Sequence, residues 1–183
     1  MKLVAFSGFA RVGKSTAARL LGGRTLNFAD ALKYDLKSLI RNRYGLDPND
    51  LTPREKELVR DLYVAHGKIG RAVNPGIWVE PVMCEVDLLR AEMASERREK
   101  QTICIGDMRY CNEAHAVHGR GGTIIYIYRP GYQPANSEEE QSIAELLEAA
   151  RRGEFGNNFV IVRNDGTLEE LAALVKSALE VEE

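Results

Sequence analysis

The segment that most constrains how this chain can fold is GFARVGKS, residues 8–15, which has the spacing G-x-x-x-x-G-K-S. An apolar run over residues 3–6 precedes it, and residues 16–21 can continue as a helix. A strand, a glycine loop and a helix in this order direct several backbone N–H groups at one anionic ligand. The segment therefore predicts a phosphate-binding loop that follows the first strand of an α/β sheet.

Each residue of such a loop has an expected task. Lys14 would reach the β- and γ-phosphates of a nucleoside triphosphate, the Ser15 hydroxyl would ligate the bridging Mg²⁺, and Arg11 would add a further cation. The two glycines, Gly8 and Gly13, permit the backbone path of the loop. The pattern strongly indicates phosphate binding and says little about which reaction follows.

Composition limits the classes of partner. The chain has 183 residues, which suits one well-buried domain rather than two. A formal net charge of −2 gives no bulk electrostatic reason to expect a nucleic-acid polymer or an anionic membrane as a partner. The three cysteines form no C-x-x-C pair, no cleavable signal precedes the first apolar run, and no apolar stretch approaches the ~20 residues of a membrane span. We expect a soluble cytoplasmic protein.

Short apolar runs alternate with helical patterns along the chain, which predicts a parallel sheet covered on both faces. The expected strands are residues 3–6, 25–28, 103–105, 123–128 and 159–162. Expected helix starts are a cap at Asp30, a capping box at Thr52, a cap at Asn112, a start at Ser137 and a capping box at Thr167. The helix after Thr52 is predicted to end near His66, before Gly67, the next to run over residues 78–98, and the acidic end after Glu180 to be a frayed tail.

A second group of charged residues follows the strand at residues 103–105. Asp107 would stand at the carboxyl edge of the sheet, where open α/β folds gather their ligands, and could order the waters of a Mg²⁺ ion. Arg109 would direct a bidentate guanidinium into the same crevice, suited to a second phosphate. The alternative interpretation of the two residues is a surface ion pair on a turn.

The residues between the first helix and Trp78 are predicted to recognise whatever accepts a phosphoryl group. This region, about residues 30–78, carries Asp30, Lys33 and Arg60, each of which could equally lie on a solvated helix face. Trp78 could stack on a base or pack in the core. The loop that begins at Arg129-Pro130-Gly131 predicts a lid-like region over about residues 129–151.

With these residues in view, the chain resembles the phage-type deoxynucleoside monophosphate kinases, which belong to a nucleoside monophosphate kinase group that also includes dephospho-coenzyme A kinase. The resemblance covers nearly the full length, and its most specific part is GDMRYCNEA, residues 106–114, which is similar to the family's D-x-R-x-x-N-E-A segment. Further matches are the loop with Arg11, the Phe28-Ala29-Asp30 segment, the helix from Val59-Arg60 to Gly67, Pro75-x-x-Trp78, Arg129-Pro130-Gly131, and the turn Asn164-Asp165-Gly166-Thr167-Leu168.

The resemblance implies a single P-loop kinase domain over residues 1–183, a three-layer α/β/α fold with a mainly parallel five-stranded sheet. It implies transfer of the γ-phosphoryl group of ATP, with Mg²⁺, to a deoxynucleoside monophosphate. Residues Lys14, Arg11, Asp107 and Arg109 would carry catalysis, and Ser15 and Asp107 would serve the metal. The monophosphate would lie among Asp30, Lys33, Arg60, Trp78, Asp107, Arg109 and Glu113. The ATP would contact Gly8, Arg11, Val12, Gly13, Lys14, Ser15 and Thr16 of the loop, together with Arg129, Asn164 and Gly166.

The resemblance is incomplete after Gly131, where only Ser137-Glu138 matches the family's lid pattern, so lid chemistry and base preference stay open. A second interpretation is another small-molecule kinase of this architecture, acting on dephospho-coenzyme A or phosphomevalonate. A third is a regulatory ATP-binding module, although no N-K-x-D segment typical of a GTPase is present. The expected partners are small-molecule nucleotides, in the host cytoplasm if the chain is phage-encoded, and whether it forms a homodimer is open.

Overall fold

The computed structural model describes residues 2–95 and 101–180. The chain divides into two compact units, one formed by residues 1–27 with 83–183 and the other by residues 28–82. The first unit contains the sheet, and the second is helical.

The sheet of the first unit has five strands, all parallel, in the order β2-β3-β1-β4-β5. Their bounds are Lys2–Ser7 for β1, Arg24–Leu26 for β2, Thr102–Ile105 for β3, Thr123–Tyr128 for β4 and Phe159–Arg163 for β5. Consecutive residues of the central strands are buried, which requires cover on both faces because neighbouring side chains point to opposite sides. The predicted α/β/α architecture with a five-stranded sheet is confirmed.

Helices of this unit connect the strands and complete its core. They are α1 (Lys14–Leu21), α5 (Cys111–His118), α6 (Ser137–Arg151) and α7 (Leu168–Ser177), and a short 3-10 turn, Gly156–Asn158, precedes β5. One core cluster joins alternate residues of the central strands, among them Val4, Phe6 and Ile125, to apolar residues of α1 and α7. The loop residue Val12 is part of this cluster, so the core itself anchors the loop.

The helical unit contains α2 (Ala29–Tyr44) and α3 (Pro53–Val73), and α4 (Val79–Ser95) begins in it and continues into the first unit. Its core cluster includes Leu36, Ile40 and Val59. The capping box at Thr52 is confirmed, since Glu55 N–H donates to Thr52 Oγ1 and the Glu55 carboxylate accepts from Thr52 N–H.

The predicted end of α3 before Gly67 is wrong, because the helix continues to Val73. Both of its glycines are buried where neighbours approach closely. A Cβ on Gly70 would lie 2.5 Å from Cζ2 of Trp78, and one on Gly67 would lie 2.7 Å from Cδ1 of Leu32. The glycines therefore make room for packing rather than ending the helix.

Other boundaries move by a few residues. The second strand ends at Leu26. The buried Phe28 occupies the N-cap position of α2 without a side-chain cap, and Asp30 lies in the first turn. Tyr110 caps α5 in place of Asn112. The predicted end of α4 at residues 96–98 and the tail at residues 181–183 lie outside the described residues. Over residues 2–95 and 101–180, no helix is both long and apolar enough to cross a membrane.

Candidate active site

The glycine loop lies at the carboxyl end of β1, the strand at which the order of the sheet reverses. β1 pairs with β3 on one side, with Ala5 opposite Ile105, and with β4 on the other, with Ser7 opposite Tyr126. Asp107 follows β3 by two residues, so the topology brings it to the same edge as the loop. In open α/β sheets this edge is where ligands bind.

The conformation of the loop depends on its two glycines. Gly8 has φ 130° and Gly13 has φ 109°, both in the region that favours glycine. A Cβ on Gly8 would overlap the carbonyl oxygen of Ile127, and one on Gly13 would lie 2.5 Å from Nδ2 of Asn164. Arg11, with φ 67°, is the one non-glycine residue with positive φ in the described ranges, which marks strain at the top of the loop.

Lys14 begins α1 and its ammonium lies within the curve of the loop. Its Nζ donates to the carbonyl oxygens of Gly8, at 2.5 Å, and Phe9, at 2.7 Å. The backbone N–H groups of the first helical turn have no carbonyl partner within the helix, because the first intrahelical bond runs from Ala17 N–H to Gly13. A polyphosphate fits this arrangement, since it would supply the acceptors that these donors lack.

Electrostatics ties Lys14 to three other charged residues. Burial and the positive charge of Arg109 lower the pKa of Lys14 from 10.5 to about 8, while the carboxylates of Glu139 and Asp107 act to raise it. Lys14 therefore lies within electrostatic reach of Arg109, Asp107 and Glu139, all in the sheet unit. This juxtaposition of Lys14 with Arg109 is the central geometric expectation from the sequence.

A buried carboxylate fixes the backbone from which Arg109 projects. Glu113 accepts hydrogen bonds from the backbone N–H groups of Arg109, at 2.7 Å, and Tyr110, at 3.0 Å. Met108, between Asp107 and Arg109, is fully buried, which anchors the turn from below. Glu113 thus orients this turn, and its predicted contact with substrate stays a prediction.

The sequence interpretation missed Glu139. Its side chain is 0% exposed, in the first turn of α6, and its Oε1 lies 3.5 Å from Nη2 of Arg109, whose side chain is 42% exposed. The signal in the sequence was Asn136 followed three residues later by Glu139, the spacing of a capping box, within a run of three glutamates that otherwise suggests a solvated helix start. Nothing in that pattern indicates the contact with Arg109.

Asn164 links the turn after β5 to the glycine loop. It is buried, its Nδ2 donates to the carbonyl oxygen of Val12 at 2.7 Å, and its backbone N–H donates to Tyr128. Gly166 lies against the carboxylate of Glu170, which accepts from Thr167 N–H in the confirmed capping box of α7. These contacts assign both residues a structural role, and their contact with adenine stays a prediction.

Arg129 is exposed at the start of the predicted lid loop. Its guanidinium carbon lies 5.2 Å from the centre of the Tyr132 ring, within the range of a cation–π contact. Its predicted contact with ATP stays a prediction.

Four of the predicted acceptor-binding residues belong to the helical unit: Asp30, Lys33, Arg60 and Trp78. Lys33 Nζ lies 3.5 Å from Asp30 Oδ1 on the exposed side of α2, and Arg60 is exposed on α3. Trp78 is only 5% exposed, and its Nε1 donates to the Gly67 carbonyl at 3.1 Å. The structure therefore gives Trp78 a packing role, and stacking on a base stays a prediction.

The metal prediction involves Ser15, exposed in the first turn of α1, and Asp107, partly buried at the end of β3. Within the described part of the chain, no three His, Cys, Asp or Glu side chains form a metal-binding group. Mg²⁺ at a phosphoryl-transfer site takes one or two protein ligands together with phosphate oxygens and water. Ser15 and Asp107 are the residues that would hold it.

No protein-family model matches the chain, and no curated protein sequence matches it. Among solved structures, the shikimate kinase from Aquifex aeolicus is similar, with a TM-score of 0.51, 17% sequence identity, and coverage of 97% of this chain and 96% of that chain. A dephospho-CoA kinase from Campylobacter jejuni gives a TM-score of 0.49 and 16% identity, over 98% of this chain and 96% of that one. The chain therefore shares the fold of the shikimate kinase.

Proposed function

We propose that the protein is an ATP-dependent kinase that phosphorylates a nucleoside or deoxynucleoside monophosphate to the diphosphate. The observation that carries the proposal is the electrostatic coupling of Lys14, in the glycine loop, to Arg109, beyond the neighbouring strand. Two cations at one edge of the sheet suit two anionic ligands that meet there.

The loop supports the donor half of the proposal. When bound, ATP supplies the γ-phosphoryl group, and Mg²⁺ supplies charge that neutralises its phosphates. The backbone N–H groups of Gly13, Lys14 and Ser15 would hold those phosphates, and the Lys14 ammonium would stabilise charge on the transferred group. Arg11, which is exposed in the loop, adds a further cation.

Arg109 supports the acceptor half. Its guanidinium carries five N–H donors and is partly exposed, and the Glu139 carboxylate approaches it at Nη2, so donors stay available for an acceptor phosphate. The reaction forms one bond, between the γ-phosphorus and an oxygen of the acceptor, and breaks one, between that phosphorus and the ADP oxygen. Positioning and charge stabilisation account for most catalysis of such a transfer.

The choice of a nucleoside monophosphate rests on the resemblance of residues 106–114 to the deoxynucleoside monophosphate kinases. The helical unit, with Asp30, Lys33 and Arg60, is the proposed region for recognising the nucleoside. The net charge of −2 supports small-molecule partners rather than a nucleic-acid polymer.

The test is a substrate panel. The protein is incubated with Mg·ATP and each common ribonucleoside and deoxynucleoside monophosphate, and the diphosphate is quantified by chromatography. Dephospho-coenzyme A, phosphomevalonate and a sample without acceptor form the other arms. Lys14→Ala, purified in the same way, controls for contaminating kinases, because loss of the ammonium should lower turnover about a hundredfold or more.

Diphosphate from at least one monophosphate, dependent on Lys14, is the expected result. Product formed only from dephospho-coenzyme A or phosphomevalonate would show that the protein is a kinase but that the proposed acceptor is wrong. Slow ATP hydrolysis, with no acceptor phosphorylated in any arm of the panel, would favour a regulatory ATP-binding module and overturn the proposal.

A further inference from the structure

Glu139 has two carboxylate oxygens with different surroundings. Oε2 accepts a hydrogen bond from the backbone N–H of Ala135 at 2.7 Å. Oε1 is buried, lies 3.5 Å from Nη2 of Arg109, and makes no hydrogen bond within the described residues. The neighbouring Glu140, in the same helical turn, is exposed. Glu139 is therefore buried because of where it lies on α6, and not because the whole turn is buried.

The Oε2 contact is explained by helix capping. Asn136 Oδ1 accepts from Glu139 N–H at 2.8 Å, and Glu139 returns a bond to Ala135, just before the cap. This reciprocal arrangement fixes the start of α6 against the end of the loop over residues 129–136. A neutral amide oxygen would serve the same purpose, so the cap does not require a negative charge.

The Oε1 contact requires the charge. A buried carboxylate oxygen without a hydrogen bond destabilises the folded protein unless an opposite charge compensates it. The charge of Glu139 acts on two cations, Arg109 by direct approach and Lys14 through space, where it opposes the effect of Arg109 on the lysine pKa. Burial raises the pKa of Tyr126 on β4, and the negative charge of Glu139 raises it further. The negative charge of Glu139 thus acts on groups at the carboxyl edge of the sheet, where the glycine loop and Arg109 lie.

We infer that Glu139 is a positioning residue that holds the Arg109 guanidinium in place for the acceptor phosphate and links it to the loop over residues 129–136. The inference rests on the proposed function and deepens it. Because Glu139 is fully buried, it acts through Arg109 rather than by touching substrate. The same carboxylate reduces the repulsion between Lys14 and Arg109 before either phosphate binds.

Glu139→Gln separates the two roles of the residue. The amide oxygen can still accept from Ala135 N–H, whereas the amide NH₂ cannot pair with Arg109. We expect kcat/KM for the acceptor to fall about tenfold, and no further than when Arg109 itself is removed, because Glu139 acts through that residue, with the KM for ATP nearly unchanged. Glu140→Gln removes the same charge one residue away and should behave like the wild type.

A double variant tests whether Glu139 acts through Arg109. In the Arg109→Ala background, Glu139→Gln should cause little further loss, because the group that it positions is already absent. Wild-type kinetics of Glu139→Gln, or an equal loss in both backgrounds, would overturn the inference. If Glu139→Gln does not fold, Glu139→Asp keeps the charge, shortens the side chain by one methylene, and should show the same selective loss for the acceptor.

The NMR signal of the Arg109 Nε–Hε group gives a readout that needs no turnover. Glu139→Gln should shift this signal and Glu140→Gln should not, and an unmoved signal in both would contradict the inference. If the wild type phosphorylates no acceptor, the proposed function fails while the NMR comparison still decides whether Glu139 holds Arg109. If the wild type is active and Glu139→Gln matches it, only the role of Glu139 fails.

Discussion

Lys14 carries its charge in surroundings that disfavour it. Burial and Arg109 lower its pKa to about 8, and the carboxylates of Glu139 and Asp107 only partly offset this. The ammonium donates hydrogen bonds to two loop carbonyls. Phosphate groups would replace that arrangement with opposite charge, so ligand binding should raise the lysine pKa and favour the protonated form.

Nucleotide affinity should therefore depend on pH. Below pH 8 Lys14 is protonated in the free protein, and as the pH rises through about 8 a growing fraction is neutral and must take up a proton to bind. The Kd for ATP, measured by calorimetry from pH 7 to 9.5, should be nearly flat at first and then rise by up to about tenfold per pH unit.

Lys14→Ala provides the control for this titration. Its weaker binding should lack the rise above pH 8, because the titrating group is gone. An identical pH profile in the variant and the wild type would show that another group is responsible.

Arg109→Ala should separate the two ligands. The variant removes a forked donor assigned to the acceptor phosphate, so KM for the acceptor should rise at least about tenfold, the scale of a lost charged hydrogen bond. The Kd for ATP should change far less, because Arg109 is assigned to the acceptor and not to the glycine loop. Steady-state kinetics with each substrate varied in turn measures both, and equal losses for the two ligands would refute the assignment.

At the scale of elements, α3 shows how packing overrides local sequence preference. Two glycines within one turn favour a helix end, yet the helix continues to Val73. Trp78 and Leu32 occupy the space where side chains at these two positions would lie. The indole N–H then reaches the Gly67 carbonyl. The tryptophan and the glycines form one packing unit.

Gly70→Ala should destabilise the helical unit. Alanine favours a helix over glycine by about 1 kcal/mol, but a Cβ only 2.5–3.0 Å from three indole atoms should cost about 1–3 kcal/mol in overpacking. We expect a lower unfolding midpoint in urea, followed by the fluorescence of Trp78, the one tryptophan of the chain.

Ala65→Gly, at an exposed position of the same helix, isolates the helix preference without the clash. It should lower the midpoint by the propensity difference alone. A higher midpoint for Gly70→Ala than for the wild type would mean that the tryptophan moves aside without loss.

At the scale of the whole molecule, the elements that the sequence predicted best are those set by local pattern. The strands and the glycine loop follow from apolar runs and glycine spacing, and the capping boxes at Thr52 and Thr167 follow from adjacent residues. The contacts that the sequence missed join distant positions. Glu139 and Arg109 are 30 residues apart, and Asn164 reaches Val12 across the first and last strands.

The central claim is that two anionic ligands meet at one edge of the sheet, one held by Lys14 and the other by Arg109. The most direct test is the affinity of a single molecule that contains both, adenosine joined through five phosphates to the nucleoside whose monophosphate reacts fastest. Calorimetry with the wild type should give a Kd at least about tenfold below that of ATP, since the second contact becomes intramolecular, and both Lys14→Ala and Arg109→Ala should weaken it. Binding no tighter than that of ATP, and indifferent to Arg109, would contradict the account.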